Sequence, residues 1–124
     1  DGWDSPKLSE IGQKAIDGGY FSNHYSTEST DPAAVEFMTK FKAKYNKSPD
    51  GLSSVAYDAT RMLLKAIESS DLTPQSVRDQ LAAIKEFQGA TGKISINEKR
   101  DAVKSAVVVQ VEGANNKFIT TVNP

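Results

Sequence analysis

The sequence predicts an α/β fold, and three observations lead to that class. Apolar residues spaced three and four positions apart mark four helical stretches between residues 6 and 86. Runs rich in aromatic or β-branched residues lie before the second helix and after the fourth, as is typical of strands. Three helices begin with the same signal, a capping residue followed by Pro, at Ser5-Pro6, Asp31-Pro32 and Thr73-Pro74. The predicted order is one helix, one strand, three helices and three strands.

The longest predicted helix covers residues 50–70 and is apolar on most of its surface. Met62 is predicted to lie in the core, as are Phe41 and Tyr45 of the preceding helix, whereas Asp58 is predicted to lie in water. A helix that is apolar on several flanks needs packing partners on more than one side. The unevenly distributed strands do not supply them, so we expect part of the fold to lie outside this chain.

Four predicted strands complete the pattern. Residues 19–26 are aromatic-rich and follow a Gly pair, and residues 92–97 alternate between apolar and polar. Residues 106–111 form an almost wholly apolar run that suits a buried strand. A turn at residues 113–116 leads to residues 117–122, the expected hairpin partner of that run. Residues 89–92 are interpreted as a turn.

Composition and motifs exclude several classes of function. With 124 residues and a net charge of −1, the chain suits one domain with a core and gives no electrostatic case for nucleic acid. It has no Cys, which excludes thiol catalysis and thiolate metal sites within it. Nucleophile motifs, paired carboxylates and EF-hand spacing are not found, so no catalytic residue, metal site or cofactor is predicted. The one His, His24, is interpreted as a hinge or surface residue.

Five segments follow one another in an order typical of one protein family. They are Asp1-Gly-Trp with Ala15-Ile-Asp-Gly-Gly-Tyr-Phe, Asp31-Pro-Ala with Phe41-Lys-Ala-Lys-Tyr-Asn-Lys-Ser-Pro, Ala56-Tyr-Asp-Ala, Phe87-Gln-Gly-Ala-Thr-Gly, and Lys93-Ile-Ser-Ile-Asn. Together they resemble the motifs of the leucine/isoleucine/valine-type (branched-chain amino acid) solute-binding proteins of ABC transporters. No single motif is specific, but the order extends over nearly all of the chain.

The resemblance implies a portion of the two-lobed type I periplasmic-binding-protein fold, in which each lobe has three layers of helix, sheet and helix. The chain resembles roughly the C-terminal third of such a protein. Residues 1–24 would then belong to lobe two, residues 25–105 to the C-terminal part of lobe one, and residues 106–124 to the strands that return to lobe two. The N-terminal part, which in this family grips the ligand carboxylate, would lie outside the chain.

The same resemblance implies three ligand-binding residues. Asp1 matches an acidic residue at a strand end that accepts hydrogen bonds from the ligand ammonium group; the alternative is that it is only a chain end. Trp3, on the same loop, is a candidate wall of the side-chain pocket or else a core residue. Leu52 matches a position where an aromatic or apolar residue lies against the ligand side chain, or it packs at a helix start. Asp4 is instead predicted to complement the dipole of the first helix.

The function implied by the resemblance is that of an extracytoplasmic solute-binding component of an ABC importer, either periplasmic or a cell-surface lipoprotein. It would bind an amino acid or a related small carboxylate by hinge closure and deliver it to the permease subunits. The alternative is the ligand-sensing domain of a receptor or regulator with the same fold. A small interaction domain is a third interpretation, and an enzyme is not expected. This stretch alone is expected to pair with itself or with the N-terminal portion, because open apolar surfaces seldom stay bare.

Overall fold

The structure, a computed structural model, describes residues 2–124. This part of the chain has the α/β class that the sequence predicts, with four helices, a short 3-10 turn and six strands. In chain order the elements are α1 (Pro6–Gly12), the 3-10 turn (Gln13–Ile16), β1 (Tyr20–Asn23), α2 (Pro32–Tyr45), α3 (Gly51–Glu68), α4 (Pro74–Ala82), β2 (Phe87–Gly89), β3 (Gly92–Ile96), β4 (Ala102–Val103), β5 (Ala106–Glu112) and β6 (Asn115–Val122).

The predicted helix starts are confirmed by their capping side chains. Ser5, Asp31 and Thr73 each accept a hydrogen bond from a backbone N–H in the first turn of the helix that follows. Asp50 caps α3 in the same way, with Ser53 N donating to its carboxylate at 2.7 Å. The first N–H groups of a helix have no partner inside it, so these caps fix where each helix begins.

The first sheet has the strand order β1-β5-β6, and both of its strand pairs are antiparallel. The apolar strand β5 lies in the centre, as predicted, and its Val109 and Val111 are almost fully buried. β6 is the predicted hairpin partner of β5. The turn between them places Gly113 at a φ of 62°, a conformation that glycine adopts at no steric cost.

The second sheet has the strand order β2-β3-β4 and is also antiparallel. It packs with α3 and α4 around a core of four buried residues, Met62, Ile84, Phe87 and Ile94. The sequence predicts β3 but not β2 or β4. These two strands have only three and two residues, which is too short for an alternating pattern to be recognised.

Two sequence-based predictions of burial are wrong, one for a residue predicted at the surface and one for a residue predicted in the core. Asp58, predicted to lie in water, is 1% exposed, because its carboxylate is hydrogen-bonded to the turn between β2 and β3. It shares a buried face of α3 with Met62, which is in the core as predicted. Tyr45, predicted as core, is 52% exposed. It lies in the last turn of α2, with its ring centroid 4.6 Å from that of Phe41 and the two rings tilted by 51°.

The chain passes twice between the two sheets. Residues 24–31 lead from β1 to α2, and residues 104–105 lead from β4 to β5. Lys104 ties these two connections together, since its Nζ donates to the carbonyl oxygens of His24 at 3.3 Å and Ser105 at 2.8 Å. The assignment of residues 1–24 and 106–124 to one lobe and of residues 25–105 to another stays a prediction.

Candidate functional site

Three parts of the chain that are far apart in sequence meet at one place, which we call the junction. It consists of residues 2–4, of residues 23–25 at the end of β1, and of residues 50–52 at the start of α3. The central contact is a hydrogen bond of 2.5 Å from Gly51 N to Asp4 Oδ2. Asp4 therefore accepts a hydrogen bond from the N-terminus of α3. The prediction that it complements the dipole of α1 is wrong, because the cap of α1 is Ser5 and Asp4 points to a different helix.

Gly51 is in such close contact with its neighbours that no side chain fits there. A Cβ at this position would overlap Asn23 Oδ1 and would lie 3.1 Å from Asp4 Oδ2. Asn23 is 5% exposed, and its Oδ1 accepts a hydrogen bond from His24 N at 2.8 Å, which holds the amide in place. The start of α3 is thus packed directly against the end of β1.

Tyr25 is a second buried side chain with a polar group at the junction, beside Asn23. Its hydroxyl is the one buried side-chain oxygen or nitrogen among residues 2–124 that has no hydrogen-bond partner there. Burial, followed by the negative charges of Asp4 and Asp50, raises the pKa of Tyr25 to about 12. A cavity of about 40 Å³ beside it is lined by Asp4, Asn23 and Pro49 among others. That volume is large enough for a water molecule.

Two of the three predicted ligand-binding residues lie at the junction. Trp3 is 45% exposed, and its ring centroid is 6.1 Å from that of Phe21. Leu52 is 69% exposed in the first turn of α3. Each is the chain neighbour of a residue in the Asp4–Gly51 hydrogen bond, so the structure brings the Trp3 loop and the Leu52 helix start together. Asp1, the third, lies outside the described residues, and the ligand-binding roles of all three stay predictions.

A larger cavity, of about 330 Å³, lies where the chain passes between the sheets. Two of the carboxylates that line it are engaged in the fold, because Glu28 accepts from Phe118 N at 2.7 Å and Asp31 caps α2. His24 also lines it. Burial, and then the charge of Lys104, lower the pKa of His24, which favours its neutral form.

The most extensively bonded buried carboxylate belongs to Asp58. It accepts hydrogen bonds from Ala90 N at 2.7 Å, Thr91 N at 2.9 Å and Thr91 Oγ1 at 2.8 Å. A Cβ at Gly89 would lie 2.5 Å from Asp58 Oδ2, so the turn can come this close only with glycine there. The arrangement fastens α3 to the β2–β3 turn. It is a structural contact, since all three donors belong to the fold itself.

Neither a cluster of metal-binding side chains nor a membrane-spanning helix is found among residues 2–124. No group of three or more His, Cys, Asp or Glu side chains there is placed to hold a metal ion. No helix in the same part of the chain is both long and apolar enough to cross a membrane.

Sequence reasoning missed the junction contacts of Asp4, Asn23 and Gly51. One signal could have indicated them: a Gly directly after the helix cap Asp50, where a better helix former would stabilise the first turn. A glycine at such a position points to close approach by another part of the chain.

Comparison with known proteins gives one family. A family model described as "Periplasmic binding protein" matches residues 2–117 of the chain. The match therefore includes the junction, all four helices and every strand except the last part of β6, which continues to Val122.

Solved structures resemble the chain over all or nearly all of its length. The leucine binding protein LivK from Thermotoga maritima is 37% identical over 100% of this chain, with a TM-score of 0.91. The branched-chain amino acid transporter substrate binding protein LivJ from Streptococcus pneumoniae, solved in complex with isoleucine, is 25% identical over 100% of this chain, with a TM-score of 0.88. A solute binding protein from R. palustris in complex with benzoate is 18% identical over 94% of this chain, with a TM-score of 0.79. The chain spans 36%, 36% and 33% of the lengths of these three proteins.

Proposed function

Since this chain belongs to the periplasmic binding protein family, we propose that it is part of the solute-binding component of an ABC importer. The family and the similar solved structures are solute-binding proteins, not enzymes. The chain has the α/β architecture of a portion of the type I periplasmic-binding-protein fold. The family implies a location outside the cytoplasm, and ABC permease subunits are the partners that we propose.

The ligand that we propose is an amino acid of the branched-chain type or a closely related small carboxylate. One observation carries this choice, namely the 37% identity, over the whole of this chain, with a leucine binding protein. The protein solved with benzoate is only 18% identical, and such a distant likeness concerns the fold alone. An aliphatic side chain also suits Trp3 and Leu52, two partly exposed apolar residues on neighbouring parts of the junction.

In the proposed mechanism the ligand binds between two lobes, and hinge closure buries it. Asp1 would accept hydrogen bonds from the ammonium group, and Trp3 and Leu52 would contact the side chain of the ligand. A carboxylate in a closed cleft pairs with a desolvated ammonium group more strongly than a carboxylate on the surface does. The groups that bind the ligand carboxylate would come from the part of the protein outside this chain.

Isothermal titration calorimetry on the full-length protein tests this proposal. We expect saturable binding of L-leucine, L-isoleucine or L-valine and no binding of benzoate. Binding of benzoate with no response to the amino acids would overturn the proposed ligand class. A lack of response to all four compounds would contradict the assignment of this protein to branched-chain amino acid uptake.

A further inference from the structure

We propose that Asp4 and Gly51 form a latch that closes when the ligand is bound and opens when the lobes separate. They would be positioning residues, which hold the ligand-contacting side chains in place without touching the ligand themselves. The inference rests on the proposed function, because it describes how the proposed site is closed.

The first argument is the place of the contact in the fold. Asp4 lies in the segment that leads through α1 to β1, a strand of the first sheet, whereas Gly51 begins α3, which packs on the second sheet. The two residues are 47 positions apart in the chain. Within the described residues, the chain passes between the two sheets only at residues 24–31 and 104–105. A movement of one sheet relative to the other about these connections would therefore pull Asp4 away from Gly51.

The second argument is that α3 does not need Asp4 in order to form. Asp50 already supplies a local cap, through bonds from Ser53 N at 2.7 Å and Ser53 Oγ at 2.6 Å. The N–H of Gly51 is one of the first N–H groups of the helix, which have no partner within it. Water can satisfy this group when the lobes are apart, and the Asp4 carboxylate can satisfy it when they are together. The bond can thus break and re-form without unfolding the helix.

The third argument is the absence of a side chain at Gly51. A Cβ there would overlap Asn23 Oδ1, so any other residue would hold the start of α3 away from β1 and from Asp4. Alanine stabilises helices relative to glycine. Helix formation therefore does not explain why a glycine is at position 51, whereas the close contact of α3 with β1 and Asp4 does.

The latch connects directly to the proposed binding residues. Trp3 precedes Asp4 in the chain, and Leu52 follows Gly51. When Asp4 bonds to Gly51 N, the separation between the Trp3 loop and the first turn of α3 is set. The bond therefore fixes the two apolar side chains relative to each other, and this arrangement would determine how well a branched aliphatic side chain fits between them.

The test uses the full-length protein and L-leucine as the probe, with calorimetry as the readout. Asp4→Ala should weaken leucine binding by about tenfold, because a hydrogen bond to a charged group is lost only from the closed state. Gly51→Ala should weaken binding by a similar factor, although it favours the helix. Asp4→Asn keeps an acceptor oxygen and should remain within about threefold of the wild type. Thr73→Ala, which removes the cap of α4 instead, should lower the melting temperature and leave the leucine affinity unchanged.

Hydrogen exchange of the Gly51 amide gives a second readout that does not depend on affinity. We expect slow exchange with leucine bound, fast exchange without leucine, and fast exchange in both states for Asp4→Ala. Equal protection in the presence and absence of leucine would mean a fixed contact and would overturn the latch. Wild-type affinity in Asp4→Ala, or equal losses in the Ala and Asn variants, would overturn it as well. If the wild-type protein does not bind leucine, the proposed function is wrong, and the latch proposal, which rests on it, is overturned as well.

Discussion

The burial of Asp58 in the structure differs from the burial that the sequence pattern predicts. On sequence grounds it lies in water, yet the structure buries it and surrounds it with three donors from Ala90 and Thr91. Nothing in the local spacing of α3 distinguishes a buried aspartate from a surface one. The donors come from a turn 32 and 33 residues further along the chain, and only the tertiary structure brings them close.

Asp58→Ala should therefore destabilise the protein strongly. The substitution leaves two backbone N–H groups and one hydroxyl buried without an acceptor, and each such group costs about 1–3 kcal/mol. We expect a loss of about 3–5 kcal/mol in the free energy of unfolding, measured by urea denaturation of the full-length protein. Glu68→Ala, which removes an exposed acid from the same helix, is the matched control and should change stability by less than about 0.5 kcal/mol. Equal effects of the two variants would contradict the structural role of Asp58.

The ligand-binding role of Asp1 is a proposal that mutagenesis can test directly. Asp1→Ala in the full-length protein should weaken amino-acid binding by about 2–4 kcal/mol, because the ligand ammonium group would stay buried without its partner. Calorimetry with L-leucine measures the change. Asp79→Ala, at an exposed acid of α4 that pairs with Arg78, is the control and should bind like the wild type. Unchanged affinity in Asp1→Ala would contradict the proposed ligand-binding role of Asp1.

At the scale of elements, local signals predict the helices well. The starts of α1, α2 and α4 follow from a capping residue and a Pro, because both act within one turn of the chain. The hairpin of β5 and β6 follows from an apolar run, a turn and a second strand-like run. The pairing of β1 with β5 does not follow, since their registered partners Tyr20 and Gln110 are 90 residues apart and no local signal connects them.

One exposed stripe of α3 leads to a prediction at this scale. Leu52, Ala56, Ala59 and Leu63 are all exposed and follow one another at spacings of four, three and four, so they lie along one side of the helix. Two small residues between two leucines allow another element to approach closely. We expect residues 1–124, produced alone, to self-associate through this stripe, because open apolar surface seldom stays bare in solution.

Sedimentation velocity measures this association. Leu63→Lys places a charge in the stripe and should shift the species toward the monomer. Val35→Lys changes an exposed apolar residue on a different helix, α2, and should leave the association state as it is. A chain that is monomeric and folded without any substitution would contradict the prediction.

At the scale of the whole molecule, the family could be predicted from the sequence, but the arrangement of its site could not. The order of five motifs is enough to identify the resemblance, and the family match over residues 2–117 confirms it. Trp3 could be proposed from its position in the first motif, and Leu52 from its position at the start of the longest helix, between the second and third motifs. The contact that brings their two segments together, from Gly51 N to Asp4, depends on how the two sheets are placed, and no local pattern encodes that placement.

The measurement that tests the central claim most directly is a crystal structure of the full-length protein with L-leucine bound. We expect the leucine to lie at the junction, with its side chain against Trp3 and Leu52 and its ammonium group on the carboxylate of Asp1. We also expect the hydrogen bond from Gly51 N to Asp4 to be present in that complex. Leucine bound elsewhere, for example in the cavity lined by Glu28 and Phe118, would contradict this account of the site.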